Sequence, residues 1–343
     1  MVGVVVRIPR EPILAAPVAD LPRAGVGEGV AWEPKWDGYR AFVARSVGGG
    51  VVVRSRHGTD LTTGFPDIAA AAGALPDVDL VLDGELVIWQ EGRLAFERLG
   101  ERLGRRPDTA RRLAAAVPAH FVVFDLLHHA GVDYLPRPYS ERRAALEELF
   151  AGYDLGPPWT LCPSTTDPAI ARRWLEWAAV GVEGLVAKPL SAPYRPGTRG
   201  WRKYRVRHTT EAVIGAVTGS LTRPSSVLLG RLQDGGSGGV GRLRYAGRTT
   251  TVNASLAEQL AAVLAPAGPG HPWQGVRFSV GWGSHESLRA VLVDPQLVAE
   301  ISADVALDRA GRWRHPVRLQ RLRPDLAPVD VPVFGAGNHP AAG

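Results

Sequence analysis

The sequence contains very little cysteine and no long apolar run. Its single cysteine, Cys162, excludes a disulfide framework and any cysteine-rich zinc or iron–sulfur site. No run approaches the ~18 apolar residues that cross a bilayer, and residues 1–12 lack the apolar segment and cleavage site of a secretory signal. We therefore expect a cytoplasmic protein that does not act at a membrane.

Lysine is also scarce. Of the 40 lysine and arginine residues, only Lys35, Lys188 and Lys203 are lysine. Either cation serves on a solvated surface, but only a lysine amine can become neutral and nucleophilic. The three lysines are therefore expected at positions where arginine would fail.

The remaining composition describes a basic globular protein. The 343 residues carry a formal charge of +6, with a pI near 9.8. This excess favours a polyanionic partner, nucleic acid ahead of a membrane surface, although drift in base composition would produce the same excess.

Apolar periodicity predicts two domains and a tail. Short strands alternate with helices as far as residue 207, which predicts an α+β domain over residues 1–207 whose first 30 residues wrap the surface. Residues 208–328 contain one predicted helix, 254–264, among short strands with Gly-rich turns, the pattern of a small all-β barrel of the oligonucleotide-binding (OB) type. The Pro/Gly/Ala-rich residues 329–343 are expected to be disordered. The five predicted barrel strands are 211–219, 226–232, 242–246, 276–280 and 298–305.

The stretch Glu33 to Arg40 combines a lysine with several acids. Lys35 precedes Asp37 by two residues, so in a strand both side chains would lie on one face. The acid favours the charged amine, whereas nearby cations such as Lys203 and Arg205, or a bound divalent metal, would favour the neutral nucleophile. Alone, Lys35 and Asp37 would form a surface ion pair worth under ~1 kcal/mol.

Further motifs follow in a fixed order. The six are Lys35-x-Asp-Gly-x-Arg40, Ser55-Arg56-x-Gly58, Asp83-Gly84-Glu85, Phe124-Asp125, Glu183-Gly-Leu-Val-Ala-Lys188 and Trp201-x-Lys203-x-Arg205.

In this order the six motifs resemble the covalent nucleotidyltransferases, the superfamily of ATP-dependent DNA ligases, RNA ligases and mRNA capping enzymes. The resemblance covers residues 33–205. More finely, Trp36 to Arg40, residues 183–189, Arg314-His315-Pro316 and residues 321–325 resemble the small two-domain bacterial ligase C group and the ligase module of end-joining ligase D enzymes. The implied fold is a nucleotidyltransferase domain, with ATP-grasp-like antiparallel sheets and flanking helices, followed by an OB-fold domain.

The resemblance also implies a covalent mechanism. Lys35 would attack the α-phosphate of ATP to form a lysyl-AMP phosphoramidate, with Lys203 and Arg205 neutralising the phosphates. Glu183 and Glu85 would bind Mg²⁺ or Mn²⁺, which prefer hard oxygen ligands.

Other positions would bind the nucleotide and the DNA. Glu33 would read the adenine amino group, and Arg40 together with Glu85 would hold the ribose. Phe124 would stack on adenine, although an aromatic residue in a buried strand is as often a core residue. Arg56 would hold the 5′-phosphate of a nick.

The C-terminal motif departs from the family. Leu326 stands where a lysine is usual, so part of the pyrophosphate-orienting function is missing or moved. Six arginines fall in this basic region, with apolar residues alternating among them, which favours a strand over a solvated tail: Arg309, Arg312, Arg314, Arg318, Arg321 and Arg323.

The resemblance therefore implies an ATP-dependent DNA ligase that seals 3′-OH/5′-phosphate nicks in double-stranded DNA during repair. We expect a monomer that is associated with the bacterial nucleoid, with DNA-repair proteins as candidate partners. Two alternatives remain open: an RNA ligase or other covalent nucleotidyltransferase, and a non-catalytic nucleic-acid-binding protein. The intact Lys35, Glu85, Glu183 and Lys203 favour the enzyme.

Overall fold

The computed structural model of the chain describes residues 8–18, 29–233, 241–279, 286–304, 306–308 and 310–335. Two compact units divide the chain, Met1–Arg205 and Val206–Gly343. The sequence placed this boundary after residue 207; in the structure the first strand of the second unit already begins at Arg207. No helix within the described ranges is long and apolar enough to cross a bilayer.

The first unit contains eleven strands, five α-helices and one 3₁₀-helix among its described residues. They are β1 (Ala15–Val18), β2 (Val30–Trp36), β3 (Tyr39–Arg45), β4 (Val51–Ser55), α1 (Pro66–Gly73), β5 (Leu80–Gln90), β6 (Arg93–Leu94), α2 (Phe96–Arg102), α3 (Pro107–Ala116), β7 (Ala119–His129), β8 (Val132–Asp133), α4 (Tyr139–Gly152), β9 (Trp159–Leu161), α5 (Pro168–Arg173), the 3₁₀-helix (Trp174–Val180), β10 (Val182–Pro189) and β11 (Trp201–Arg205).

Two sheets organise these elements. The first has the order β1-β11-β10-β2, and the second has the order β4-β3-β5-β7-β8, with β6 beside β5 and β9 beside β7. Strand β5 is buried along most of its length, and helices α1, α2 and α4 cover one face of its sheet. The other face packs towards the first sheet, since Phe42, Val81 and Leu127 share a buried apolar cluster with Trp201. The six sequence motifs therefore meet where two sheets face each other.

Strands β2 and β3 flank the Asp37-Gly38 dipeptide, which is typical of a hairpin turn and predicts that the two strands pair with each other. Both strands are present, but β2 pairs with β10, and β3 pairs with β4 and β5. Strand β2 ends at Trp36, and Asp37 lies in the bend that follows it. The strand through both Lys35 and Asp37, on which the same-face expectation was based, therefore ends between them.

The amino-terminal segment Ile8–Val18, called the strap below, is more than a surface wrapping. Its strand β1 pairs in parallel with β11, and Ile13 is 1% exposed. The expectation that the first 30 residues wrap the surface is therefore wrong for this segment. Residues 1–7 and 19–28 lie outside the described residues.

Helix ends follow sequence cues only in part. The sequence predicts a helix over residues 167–180 with Asp167 as its N-cap. The Asp167 side chain does cap α5, by accepting a hydrogen bond from the Ala169 N–H at 2.7 Å, but the helix changes to 3₁₀ geometry at Trp174. The Ser140-Glu141 pair predicts a second capped helix start, but α4 begins after Pro138 and its N-cap makes no side-chain hydrogen bond.

Two motif glycines are required by close strand packing. Gly184 has φ +152°, and a Cβ there would lie 2.0 Å from the carbonyl oxygen of Tyr204. At Gly84 a Cβ would lie 2.6 Å from the Phe121 ring. Neither position accepts a side chain, which explains why the acids Glu183 and Glu85 have glycine neighbours.

The described residues of the second unit form a barrel of mainly antiparallel strands together with one α-helix. The main sheet has the order β14-β13-β12-β18-β19, with β17 beside β12, while β15 pairs with β16. The described elements are β12 (Arg207–Gly219), β13 (Pro224–Leu232), β14 (Leu243–Arg248), α6 (Ala254–Val263), β15 (Phe278–Ser279), β16 (Ser287–Leu288), β17 (Val291–Leu292), β18 (Val298–Asp304), β19 (Arg318–Leu322) and a 3₁₀-helix (Pro328–Asp330).

Backbone hydrogen bonds close this barrel between its first and last strands. The N–H of Val317, just before β19, donates to the Arg248 carbonyl at 2.9 Å, and the N–H of Thr250 donates to the Val317 carbonyl at 2.8 Å. Closure removes the free edges of the sheet, as in an OB fold. The unit thus has the fold class expected from the sequence.

One predicted barrel strand is wrong. Residue 280 lies outside the described residues, and of residues 276–279 the structure places Phe278 and Ser279 in the short strand β15, off the main sheet, where β19 takes the fifth place. The Arg-rich stretch before residue 323 is therefore partly a strand, as its alternating apolar residues suggested. Within that stretch Arg309 lies outside the described residues, as do residues 234–240 and the tail residues 336–343.

Candidate active site

Strands β2 and β10 bring the expected nucleophile to an acid 148 residues away. Their register pairs Lys35 with Gly184, and an irregularity between Val182 and Gly184 turns the Glu183 side chain towards the lysine. Lys35 Nζ forms an ion pair with Glu183 Oε2. The Lys35 side chain is 21% exposed and that of Glu183 is 2% exposed, so the amine can be reached from outside while its partner cannot.

Two further cations come from β11, the neighbour of β10. Arg205 Nη2 lies 3.6 Å from the same Glu183 oxygen. Burial lowers the pKa of Lys203, and the charges of Arg205, Lys35 and Arg56 lower it further. The structure thus collects around Lys35 the cations that the sequence argument required.

Glu85, on β5 of the second sheet, faces this cluster. Burial raises the pKa of Glu85 to about 8; Lys35 and Arg40 oppose that rise, whereas Asp37 and Glu183 add to it. Glu85 is therefore a carboxylate whose negative charge is incompletely compensated. A divalent cation beside it would supply the missing positive charge.

The expected metal ligands, Glu85 and Glu183, fit a metal site that the phosphates of the substrate would complete. The described residues hold no cluster of three or more histidine, cysteine, aspartate or glutamate side chains suited to a metal. Glu85 and Glu183 nevertheless offer hard carboxylate oxygens close enough for the charge of Glu183 to raise the pKa of Glu85. Mg²⁺ is commonly held by one or two carboxylates together with substrate phosphates, which matches this donor set.

Arg40 is clamped by a residue to which the sequence assigned no role. Its Nε donates to Asp83 Oδ1 at 3.1 Å and its Nη2 to Asp83 Oδ2 at 2.6 Å. Its Nη1 donates to the Ile13 carbonyl at 2.7 Å. Burial alone would lower the pKa of Arg40, but the Asp83 carboxylate more than offsets this and raises it.

Phe124 lies between the sheets and is half-buried. Its ring faces the Arg40 guanidinium at 5.2 Å and meets Trp201 edge-on at 6.0 Å. The side chain therefore packs as a core aromatic and still keeps some accessible surface, so both expected roles are compatible with its position.

Glu33 forms a second lysine–glutamate pair. Lys188 Nζ lies 2.7 Å from Glu33 Oε2 and donates to the Phe124 carbonyl at 2.8 Å. The Tyr139 hydroxyl donates to the other oxygen, Glu33 Oε1. Burial raises the pKa of Glu33 against the lowering effect of Lys188 and Tyr139.

Neither Lys188 nor Tyr139 was expected to touch a site residue. The scarcity of lysine was the available signal for Lys188, because it is one of three lysines in the chain. Tyr139 offered no local signal, since it lies 106 residues from Glu33.

Arg56 follows the end of β4 and is exposed. Its backbone N–H donates to the Arg40 carbonyl at 3.1 Å, which places it next to the Arg40 strand. The charge of Arg56 lowers the pKa of Lys203. An exposed cation at this point suits contact with an external phosphate.

In the second unit, carboxylates already balance the C-terminal arginines. Arg321 Nη2 lies 2.7 Å from Glu300 Oε2, and Arg323 Nη2 lies 2.7 Å from Asp325 Oδ2. Leu326 packs partly buried against the apolar core of this unit. A leucine at this position therefore serves packing of the second unit.

Sequence comparisons agree with the motifs. Residues 12–205 match the family described as ATP dependent DNA ligase domain. DNA ligase C2 of Mycolicibacterium smegmatis is 34% identical over 339 residues, covering 92% of this chain and 91% of the relative. DNA ligase C of Mycobacterium tuberculosis is 32% identical over 341 residues, covering 93% of this chain and 91% of the relative.

A solved structure shows the same fold. It is described as "DNA binding with a minimal scaffold: Structure-function analysis of Lig E DNA ligases", and it aligns with a TM-score of 0.51 and 17% identity over 91% of this chain and 99% of that one. At this identity the likeness concerns the fold alone.

Proposed function

The chain belongs to the ATP-dependent DNA ligases, and on that premise we propose that it seals nicks with 3′-OH and 5′-phosphate ends in double-stranded DNA. The observation that carries the proposal is the position of Lys35. Its amine is accessible, is paired with the buried Glu183 and is surrounded by Lys203 and Arg205.

The first step uses Lys35 as a nucleophile. Its amine loses a proton and attacks the α-phosphate of ATP; a nitrogen–phosphorus bond forms, and the bond to pyrophosphate breaks. Lys203 and Arg205 supply positive charge where negative charge develops on the phosphates. Arginine could not replace Lys35, because a guanidinium keeps its proton.

A divalent cation, Mg²⁺ or Mn²⁺, would be held by Glu183 and Glu85. When bound, it would neutralise phosphate charge and polarise the phosphate oxygens. The raised pKa of Glu85, caused chiefly by burial, supports this assignment because a nearby cation would relieve that burial cost.

The remaining roles concern recognition. We assign adenine stacking to Phe124, ribose contacts to Arg40 and Glu85, and the adenine amino group to Glu33. Arg40 can give the ligand only the N–H groups that Asp83 and Ile13 leave over. Glu33 can accept from adenine through lone pairs that Lys188 and Tyr139 do not use.

Two later steps complete sealing. The 5′-phosphate of the nick, held by the exposed Arg56, takes AMP from Lys35; the 3′-hydroxyl then attacks that phosphate and AMP leaves. The basic charge of the chain supports DNA binding, because phosphate neutralisation dominates nucleic-acid affinity. We further propose that the enzyme works as a monomer in DNA repair, in the cytoplasm and at the nucleoid.

The test is adenylylation of Lys35. Incubation with α-labelled ATP and Mg²⁺ or Mn²⁺ should give an acid-labile, alkali-stable adduct, and mapping should place it on Lys35. Lys35→Arg should be as inactive as Lys35→Ala, with unchanged folding. Labelling of Lys35→Arg, or failure of the wild type both to label and to seal pre-adenylylated nicked DNA, would refute the proposal. Comparison of nicks in DNA with nicks in RNA separates DNA ligation from RNA ligation.

A further inference from the structure

Tyr194 is a buried residue in the loop between β10 and β11. It is 2% exposed and belongs to none of the six sequence motifs. Its hydroxyl donates to Asp83 Oδ2 at 2.6 Å and accepts from the Ile13 N–H at 3.1 Å. One hydroxyl therefore joins the acid of the third motif to the strap Ile8–Val18.

Both partners of this hydroxyl hold Arg40. Asp83 accepts two hydrogen bonds from the Arg40 guanidinium, and the Ile13 carbonyl accepts a third, while Arg40 Nη2 lies 3.5 Å from the Tyr194 hydroxyl itself. Of the five N–H donors of Arg40, at least three are engaged on this side. The guanidinium plane is thereby fixed, and its remaining donors are left for a ligand.

The Tyr194 hydroxyl remains protonated. Burial raises the pKa of Tyr194 well above its usual value, and the Asp83 charge raises it further. The hydroxyl therefore keeps its proton and donates to Asp83 throughout the range in which the enzyme would work.

The strap is anchored along its length. The Leu14 N–H donates to the Thr198 carbonyl at 2.7 Å, and the Trp201 N–H donates to the Leu14 carbonyl at 3.1 Å. Strand β1 continues this pairing with Pro17 opposite Lys203. One segment thus contacts both the clamp on Arg40 and the strand that presents Lys203.

We propose that Tyr194 is a positioning residue of the adenylylation site, which acts through Asp83 and the strap to orient Arg40 towards the nucleotide. The inference rests on the proposed function, in which Arg40 contacts the ribose of ATP. It adds to that function a residue outside the motifs and gives the strap a role in nucleotide binding.

The ring and the hydroxyl of Tyr194 make different contacts. The ring meets Trp201 edge-on at 5.9 Å and lies 5.6 Å from the Arg142 guanidinium, contacts that a phenylalanine would keep. The bonds to Asp83 and Ile13 need the hydroxyl. Tyr194→Phe therefore removes the positioning bonds and preserves the packing.

The experiment measures enzyme–AMP formation by Tyr194→Phe as a function of ATP concentration. We expect KM for ATP to rise about tenfold, the effect of one hydrogen bond to a charged group, with kcat kept within about twofold. The matched control is Tyr153→Phe, which removes a hydroxyl bonded to His129 at 2.8 Å and should leave KM unchanged. A KM shift no larger than in the control, or a loss confined to kcat, overturns the proposal.

A double variant tests whether the effect passes through Arg40. In an Arg40→Gln background, Tyr194→Phe should change KM no further. A full additional rise there would mean that Tyr194 acts independently of Arg40, which also overturns the proposal. Labelling of the wild type on Lys35 is scored separately, so that this inference can fail while the proposed function stands.

Discussion

Strands β2 and β10 form two lysine–glutamate pairs that differ in what surrounds them. Lys35 of β2 pairs with Glu183 of β10, and Lys188 of β10 pairs with Glu33 of β2. The Lys35 side chain is 21% exposed, whereas that of Lys188 is 1% exposed. The same two residue types therefore form a partly exposed pair at one position, the open pair, and a buried pair at the other, the sealed pair.

Neighbours account for the difference. The Lys188 ammonium lies within 5 Å of three aromatic rings, 4.7 Å from Phe124, 4.9 Å from Tyr139 and 4.2 Å from Trp201. Lys35 has Arg205 and Lys203 nearby instead. Aromatic rings stabilise the ammonium, whereas neighbouring cations favour its loss of a proton. The groups around each lysine, more than its glutamate partner, therefore decide whether the pair suits a structural or a chemical role.

The largest effect is expected at the open pair. Glu183→Gln removes the acid that orients Lys35 and a proposed metal ligand, so the rate of enzyme–AMP formation should fall by about 10²-fold or more. Rapid-quench labelling with ATP measures the rate, and the melting temperature should change little. Glu33→Gln, the matched change at the sealed pair, should slow labelling far less. Equal losses of rate in the two variants would show that the two lysine–glutamate pairs do not differ in their contribution to the reaction.

The next effect is on stability, at the sealed pair. Lys188→Met leaves the Glu33 carboxylate buried without its cation and should reduce the free energy of unfolding by about 3–5 kcal/mol. Urea denaturation measures this loss, and adding Glu33→Gln should recover part of it. Lys203→Met, a control at a partly exposed lysine, should cost labelling activity but little stability; a small loss for Lys188→Met would contradict the sealed-pair description.

A smaller effect concerns Phe124, which lies beside the sealed pair and faces Arg40. Phe124→Ala should weaken ATP binding by about 1–2 kcal/mol of lost base stacking. The ATP dependence of labelling reports this change. Phe96→Ala, which removes a half-buried aromatic of α2, should lower stability without altering the ATP requirement; the same behaviour in Phe124→Ala would leave Phe124 with a core role alone.

The smallest effect is the pH response of Cys162. Burial raises the pKa of the Cys162 thiol well above its usual range, and the Glu33 charge adds to the rise. Well below the ordinary thiol pKa of about 8.5 the group is protonated in both folded and unfolded chains; above that pH only the unfolded chain ionises, so stability should fall by up to ~1.4 kcal/mol per pH unit. Cys162→Ala should flatten this slope between pH 9 and 10. Rapid alkylation of the native thiol at pH 8 would show that the sealed side is open to solvent.

The sequence predicted the chemistry better than the contacts that support it. Lys35, Glu85, Glu183 and Lys203 were expected from motif order, and the structure brings them to one place. The roles assigned to them stay predictions until labelling and binding are measured. The second unit was assigned its barrel class correctly, because short alternating strands carry that signal locally.

What escaped prediction depends on distance along the chain. Tyr194 meets Asp83 across 111 residues, and Tyr139 meets Glu33 across 106. No local pattern marks such pairs, and an isolated tyrosine is common in any core. The place of β19 in the barrel was missed for another reason. Its alternating apolar residues indicated a strand, but residues 276–280 also have the apolar pattern of a barrel strand, and their described part pairs with β16.

The strand order of the first sheet has a consequence for synthesis of the chain. Every strand of the second sheet, β3 to β9, finds its partners among residues 39–161. Strand β2 can pair only after Thr165 and β10 have been synthesised, and β1 can pair only after β11 has been synthesised. On the ribosome the second sheet can therefore form while Lys35 still lacks Glu183, because the distant pairings carry the larger loop-closure cost. A chain released before residue 205 would contain Lys35 without the complete set of cations that β11 brings beside it.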